Sequence, residues 1–141
     1  MLTLPKTSSA RVLVVDDDAF SRMAVIKKVQ QLRATALEAE DGLQAFNILR
    51  NEPVDLAIID LEMPVMNGLE LLGCIRGAPR LKHLPVLVLT AAEDRKSLEQ
   101  ALQCGATSLM IKPLNWIAFS AHIEHILHLS LAGRALRAES A

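Results

Sequence analysis

The chain has 141 residues, of which 51% are hydrophobic and 22% charged, and its formal net charge is −1. This composition is too hydrophobic and too weakly charged for an intrinsically disordered chain. The chain has two cysteines, Cys74 and Cys104, which are too few for a disulfide scaffold. The absence of tyrosine and a pI near 6.4 argue against nucleic-acid binding. With no long apolar run and no signal-peptide pattern, we expect one cytoplasmic domain whose reduced cysteines pack as small hydrophobic residues.

Short apolar runs, rich in β-branched residues, alternate with longer segments of helical periodicity. Such runs are typical of strands buried on both faces of a parallel sheet. The predicted order is strand 11–15, helix 18–32, strand 35–38, helix 41–51, strand 54–59, helix 66–77, strand 85–89, helix 93–104, strand 108–111 and helix 114–131. Strict alternation predicts an α/β fold, a doubly wound parallel sheet with helices on both faces. We expect Asp41 to cap the second helix and Gly105 to end the fourth.

Ligands of open α/β sheets bind beyond the carboxyl ends of the strands, and polar residues follow four of the five predicted strands here. In chain order these are Asp16, Asp17 and Asp18, then Asp60, then Thr90 with Ala91, and then Lys112. Clustered carboxylates need a compensating cation, and Mg²⁺ is commonly held by one or two carboxylates. Carboxylates, Mg²⁺, an ammonium and a hydroxyl together indicate phosphoryl transfer. Asp60 is the better nucleophile for an aspartyl phosphate, because the adjacent pair Asp16 and Asp17 suits the metal.

Each of these residues also has an ordinary structural explanation. Asp18 is most simply the N-cap of the first helix, and Asp16 and Asp17 could be solvated turn residues. Asp60 could end its strand through an Asx turn. The occurrence of complementary groups at four strand ends favours the functional interpretation.

Four segments together resemble the receiver domain of two-component response regulators. They are 12–18 (VLVVDDD), 55–70 (DLAIIDLEMPVMNGLE), 85–91 (PVLVLTA) and 105–113 (GATSLMIKP). The resemblance covers about residues 11–127 and implies a flavodoxin-like (βα)5 fold with strand order 2-1-3-4-5. We therefore expect a receiver domain over 11–128, an N-terminal extension over 1–10, and a C-terminal helical extension or the start of a linker over 129–141.

The resemblance also implies a chemistry. Asp60 would accept a phosphoryl group from a sensor histidine kinase or a histidine phosphotransfer protein. The implied Mg²⁺ ligands are Asp17 directly, Asp16 mainly through water, Asp60, and the backbone carbonyl of Glu62. The implied phosphoryl contacts are the Lys112 ammonium, the Thr90 hydroxyl and the Ala91 backbone N–H. The Lys112–Pro113 bond is expected to be cis, and Gly68 with the Met63–Pro64 turn would shape the loop over the site.

The sequence departs from the family pattern at the position three residues before the lysine. Receivers usually carry an aromatic ring there, which reports phosphorylation together with the threonine, whereas this chain has Leu109. The readout on the face formed by the fourth helix, fifth strand and fifth helix is therefore in question. Glu62 and Ala92 occupy positions that tune dephosphorylation in the family.

The C-terminal segment has two further patterns. Ile126, Leu129, Gly133 and Leu136 recur at spacings of three or four, which fits either an exposed amphipathic helix or a short dimerising stripe. A homodimer through the last strand and helices is thus a hypothesis, and the output partner is unknown. His122, His125 and His128 are expected to be surface histidines rather than a metal site.

The leading hypothesis is a phosphorylation-activated signalling protein that changes its partner-binding face. It would not be an enzyme beyond its own phosphorylation and slow autodephosphorylation, and we expect it to bind neither nucleic acid nor membrane. A receiver-like module that binds partners without phosphorylation is the first alternative. A Mg²⁺-dependent phosphohydrolase with an Asp nucleophile is the second. It would need a capping insertion and a second Asp two residues after the nucleophile, where this chain has Glu62.

Overall fold

Five parallel strands form a single sheet in the computed structural model, which describes residues 10–63, 66–91 and 95–140, with side chains through residue 129. In chain order the strands are β1 (Arg11–Val15), β2 (Thr35–Ala39), β3 (Leu56–Asp60), β4 (Val86–Thr90) and β5 (Ser108–Ile111), and they lie in the order β2-β1-β3-β4-β5. The helices are α1 (Ala19–Gln31), α2 (Gly42–Asn51), α3 (Gly68–Gly77), α4 (Arg95–Gln103) and α5 (Trp116–Ser140), and a 3-10 turn spans Pro79–Leu81. The flavodoxin-like fold and its strand order are confirmed.

Side chains that alternate along each strand divide the apolar core into two layers. Leu13 and Val15 of β1 pack in the layer of α2, α3 and α4 (the α2–α4 layer). Val12 and Val14 pack in the layer of α1 and α5 (the α1/α5 layer). Both faces of the sheet are covered by apolar layers. The strands therefore appear in the sequence as continuous apolar runs, and not as alternating apolar and polar residues.

Capping side chains explain where the helices begin and end. Asp18 accepts a hydrogen bond from the Ser21 N–H at 2.8 Å, and Asp41 accepts one from the Gln44 N–H at 2.8 Å, as predicted. Gly105 follows α4 with a φ of +110°, a conformation that favours glycine. The predicted helix 114–131 instead begins at Trp116, because Asn115 Oδ1 accepts from the backbone N–H groups of the first turn, and it continues to Ser140.

Two sequence-based expectations need correction. Cys104 is exposed and Cys74 half-buried, so the prediction that both pack as small hydrophobic residues is wrong for Cys104. His125 and His128 are exposed as predicted, whereas His122 is half-buried with its Nε2 atom 2.8 Å from the Ser108 Oγ atom.

Some predictions fall outside the described residues. They concern residues 1–9, Pro64, Ala92, the predicted helix start at 93–94, and the side chains of Gly133 and Leu136. Within the part of the chain that is described, no helix is long and apolar enough to cross a membrane.

Candidate functional site

A carboxylate cluster lies at the carboxyl edge of the sheet, where β1 and β3 end. The two strands pair in parallel with Val15 opposite Ile59, so the next residues, Asp16 and Asp60, emerge side by side. Carboxylate oxygens of Asp16, Asp17 and Asp60 lie within 4.8 Å of one another. Asp16 is 2% exposed and Asp60 6% exposed, whereas Asp17 faces solvent. The structure therefore brings together the three carboxylates that the sequence singled out.

Burial has a large effect on Asp16. Its pKa is raised from 3.8 to about 6, mainly by desolvation and also by the nearby negative charge of Asp60. The hydrogen bond from the Asp18 N–H, at 2.9 Å, and the charge of Lys112 oppose this rise in pKa. A divalent cation would favour the ionised form of all three carboxylates, and hard carboxylate oxygens are the donors that Mg²⁺ prefers. The donor set thus fits Mg²⁺.

Lys112 supplies the cation of the site. Its Nζ atom lies 3.2 Å from Asp60 Oδ2 and 3.8 Å from Asp16 Oδ2, and its side chain is 27% exposed. The Lys112 backbone N–H donates to the Thr90 carbonyl at 2.8 Å, which ties the end of β5 to the end of β4. The Lys112–Pro113 peptide bond is cis, as expected.

The two oxygens of each buried carboxylate have different partners. Asp60 Oδ1 accepts from the Glu62 N–H at 3.1 Å, and Asp16 Oδ1 accepts from the Asp18 N–H at 2.9 Å. Both are local turns of the Asx kind, so the ordinary structural explanation of these residues also holds. Oδ2 of both residues points to Lys112 instead. The turns therefore orient the carboxylates without using the oxygens that face the ammonium.

Thr90 lies at the same edge but on the other face of the sheet. It is fully buried and shares its side of β4 with Val86 and Val88, which pack in the α2–α4 layer. Asp60 instead shares its side of β3 with Leu56 and Ile58 of the α1/α5 layer. The sequence could not reveal this separation, because it depends on the register in which Asp60 pairs with Leu89.

The backbone N–H of Ala91, the group expected to bind a phosphoryl oxygen, has a partner that the sequence did not suggest. It donates to Oε1 of Glu62 at 3.3 Å. The sequence assigned a role only to the backbone carbonyl of Glu62, and no spacing pattern indicates this side-chain contact. Ala91 and Glu62 are both exposed.

Close backbone packing holds the β3–α3 loop against Asp60. A Cβ atom on Gly68 would lie 2.7 Å from the Leu61 Cα and 2.9 Å from the Asp60 carbonyl oxygen. Asn67 caps α3 by accepting from the Glu70 N–H, and the Glu70 carboxylate accepts in turn from the Asn67 N–H. Gly68 thus packs closely against the residues at the end of β3, and a capping box fixes the first turn of α3.

Leu109 fills the position where the family pattern has an aromatic ring. It is half-buried and packs against the α2–α4 layer, on the same face of the sheet as Thr90. Its β4 partner is Val88, two residues before Thr90. The position therefore remains apolar and lies two residues before the partner of Thr90 along β5, although it has neither a ring nor a hydroxyl.

Known proteins resemble this chain in sequence and in fold. A family model described as "Response regulator receiver domain" matches residues 12–124. Chemotaxis protein CheY of Pseudomonas aeruginosa is 35% identical over 117 residues, which are 82% of this chain and 94% of that protein. Chemotaxis protein CheY-3 of Vibrio cholerae is 38% identical over 104 residues, covering 73% and 80% of the two chains. The crystallised CheY4 of Vibrio cholerae superposes with a TM-score of 0.79 at 29% identity, covering 84% of this chain and 98% of that one.

These matches place the protein among signalling domains rather than classical enzymes. The chain belongs to the response regulator receiver domain family, in its CheY-like form, of two-component signal transduction.

Proposed function

We propose that the chain accepts a phosphoryl group on Asp60 from a phosphohistidine of a sensor histidine kinase or a histidine phosphotransfer protein. The observation that carries the proposal is the buried Asp60 carboxylate, with its Oδ2 atom 3.2 Å from the Lys112 ammonium inside a carboxylate cluster. A merely structural aspartate at a strand end needs no such surroundings.

The transfer itself needs little covalent chemistry from the protein. One oxygen of Asp60 attacks phosphorus, and the P–N bond of the donor breaks. The donor imidazole, protonated on its other ring nitrogen, leaves with that electron pair as neutral imidazole. The Glu62 N–H holds the Asp60 carboxylate in one orientation during the attack. Lys112 offsets the negative charge on the phosphoryl oxygens, and the Thr90 hydroxyl and the Ala91 N–H bind those oxygens in the product.

Asp16, Asp17, Asp60 and the Glu62 backbone carbonyl are the groups that would hold Mg²⁺. When bound, the ion supplies charge compensation for the carboxylates and the incoming phosphoryl group. The raised pKa of Asp16 supports this assignment, because a buried carboxylate that disfavours ionisation gains most from a cation.

The proposed output is a change in the surface of α4, β5 and α5, which binds an output partner or a second copy of the chain. Support comes from Thr90, which links the acidic edge to this region through the hydrogen bond between its carbonyl and the Lys112 N–H. Leu109 would repack in response where other receivers move a ring.

Phosphorylation can be tested directly with a small donor. The protein is incubated with Mg²⁺ and acetyl phosphate, and intact mass is measured before and after hydroxylamine treatment. We expect a gain of one phosphoryl group that hydroxylamine removes. Asp60→Asn should abolish the gain, whereas Asp41→Asn, the same chemical change at a capping residue where Asn also caps well, should leave it unchanged.

Two results would contradict the proposal. An unchanged mass, with no response of Trp116 fluorescence to beryllofluoride and Mg²⁺, would remove the phosphorylation step and favour the module that only binds partners. A gain that persists in Asp60→Asn would show that another residue is the acceptor. Size-exclusion chromatography with and without beryllofluoride tests the homodimer.

A further inference from the structure

The Glu62 side chain occupies a place that the proposed function assigns to phosphate. Its Oε1 atom accepts a hydrogen bond from the Ala91 N–H at 3.3 Å. Its own N–H is bound to Asp60 Oδ1 at 3.1 Å, which fixes the backbone of Glu62 beside the phosphoacceptor. The carboxylate thus reaches from the β3–α3 loop across the end of β3 to the end of β4.

A carboxylate oxygen and a phosphoryl oxygen both accept a hydrogen bond from a backbone N–H. Each is an anionic acceptor, and one N–H donor cannot satisfy both at good geometry. Asp60 pairs with Leu89 across β3 and β4, so Ala91 lies just beyond the strand that adjoins the phosphoacceptor. A phosphoryl group on Asp60 that uses the Ala91 N–H must therefore displace Glu62.

We propose that the Glu62 carboxylate is an internal stand-in for a phosphoryl oxygen, which holds the Ala91 N–H in the resting protein and must withdraw before a phosphoryl group can bind. The inference rests on the proposed function and adds its regulation. Glu62 is a gating residue, because it takes no part in bond making or breaking.

The charge and the exposure of Glu62 determine how strongly it weakens phosphoryl binding. A phosphoryl group enters an edge that already holds Asp16, Asp17 and Asp60, so a fourth carboxylate adds repulsion as well as competition. The Glu62 side chain is exposed, however, and can turn into solvent where its charge is well hydrated. The contact therefore weakens phosphoryl binding without preventing it.

Three substitutions at Glu62 separate the effect of its hydrogen bond with the Ala91 N–H from the effect of its negative charge. Glu62→Gln removes the charge and keeps the shape. Glu62→Asp keeps the charge but is one methylene too short to hold the Ala91 N–H, and Glu62→Ala removes both. Glu99→Gln, at an exposed glutamate of α4, is the matched control for loss of one negative charge. All four substitutions retain the backbone carbonyl at position 62.

Beryllofluoride affinity in saturating Mg²⁺ and the initial rate of phosphorylation by acetyl phosphate are measured for each protein. We expect Glu62→Asp and Glu62→Ala each to bind beryllofluoride about 3- to 10-fold more tightly than the wild type and to be phosphorylated faster. Glu62→Gln, whose amide oxygen can still accept from the Ala91 N–H, should gain less than Glu62→Ala. Glu99→Gln should match the wild type.

The outcomes distinguish this inference from the function on which it rests. If the wild type takes up phosphoryl and Glu62→Asp and Glu62→Ala bind beryllofluoride no more tightly than it does, the gate is refuted and the proposed function stands. Tighter binding by Glu62→Gln with no change in Glu62→Asp would show a general charge effect, which also refutes the gate. If no protein of the set binds beryllofluoride or takes up phosphoryl, both proposals fail.

Discussion

Asp16→Asn should make the metal-free protein more stable at pH 8. Asp16 is 2% exposed, and burial raises its pKa from 3.8 to about 6 in the folded state. Between those pH values the folded protein retains a proton that the unfolded chain releases, so the free energy of unfolding falls as the pH rises. Above pH 6 the ionised Asp16 lowers the free energy of unfolding by the full amount, about 3 kcal/mol for a pKa rise of this size. Asparagine avoids the cost and can still accept from the Asp18 N–H.

Urea denaturation in EDTA at pH 4, 6 and 8 measures the difference in the free energy of unfolding between Asp16→Asn and the wild type. We expect a gain of about 1–3 kcal/mol at pH 8 that shrinks toward zero at pH 4, where Asp16 is protonated in the folded state. Asp18→Asn is the adjacent control, because its exposed carboxylate has a lowered pKa, caused by the Ser21 N–H bond, and asparagine also caps well. It should give no gain. A gain at position 16 that does not vary with pH, or no gain at pH 8, would refute the reasoning. With Mg²⁺ added, the wild type should recover stability that Asp16→Asn does not.

Three further substitutions test the site and its loop. Gly68→Ala should lower the free energy of unfolding by about 1–3 kcal/mol, because the added Cβ meets backbone atoms. Gly73→Ala, whose Cβ has no atom within 4 Å, should be neutral or stabilising. Equal effects of the two substitutions in urea denaturation would contradict the close packing at Gly68. Lys112→Met should raise the pKa of Asp16 above about 6, because the lysine charge lowers that pKa. The titration of Asp16 can be followed by carboxyl carbon NMR of the metal-free protein. An unchanged titration midpoint would show that the two groups are uncoupled. Asn67→Ala should cost about 1 kcal/mol through loss of the capping box, and a free energy of unfolding equal to wild type would show that the cap is dispensable.

The fold and the acidic edge were predictable because both follow from one-dimensional patterns. Continuous apolar runs indicated strands buried on two faces, and parallel strands place their carboxyl ends at one edge. Asp16 and Asp60 therefore had to meet once β1 and β3 pair, whereas Lys112 reaches them from β5, on the far side of β4. The caps at Asp18 and Asp41 were equally readable, since a capping side chain contacts the backbone only three residues away.

The contacts that the sequence could not reveal depend on register or on long side chains. The reach of Glu62 to Ala91 joins two loops that are distant in sequence, through a side chain with several rotatable bonds. Arg76 resembles an ordinary exposed arginine of α3, yet its guanidinium donates to the carbonyls of Gly105 and Leu81, and burial lowers its pKa. No local pattern distinguishes such an arginine from one in solvent.

The sheet separates the proposed phosphoacceptor from the buried threonine, and this has a mechanical consequence. Thr90 is fully buried and follows Val86 and Val88 of the α2–α4 layer on the same side of β4. A rotation that carried its hydroxyl around the strand end toward Asp60 would therefore vacate volume beside a close-packed core. An unfilled cavity costs about 24 cal/mol for each Å³. Leu109, half-buried on the same face, is placed to move inward and fill it. The proposed phosphorylation on one side of the sheet would thus become a change of packing volume on the other, and an aliphatic side chain would be sufficient to transmit it.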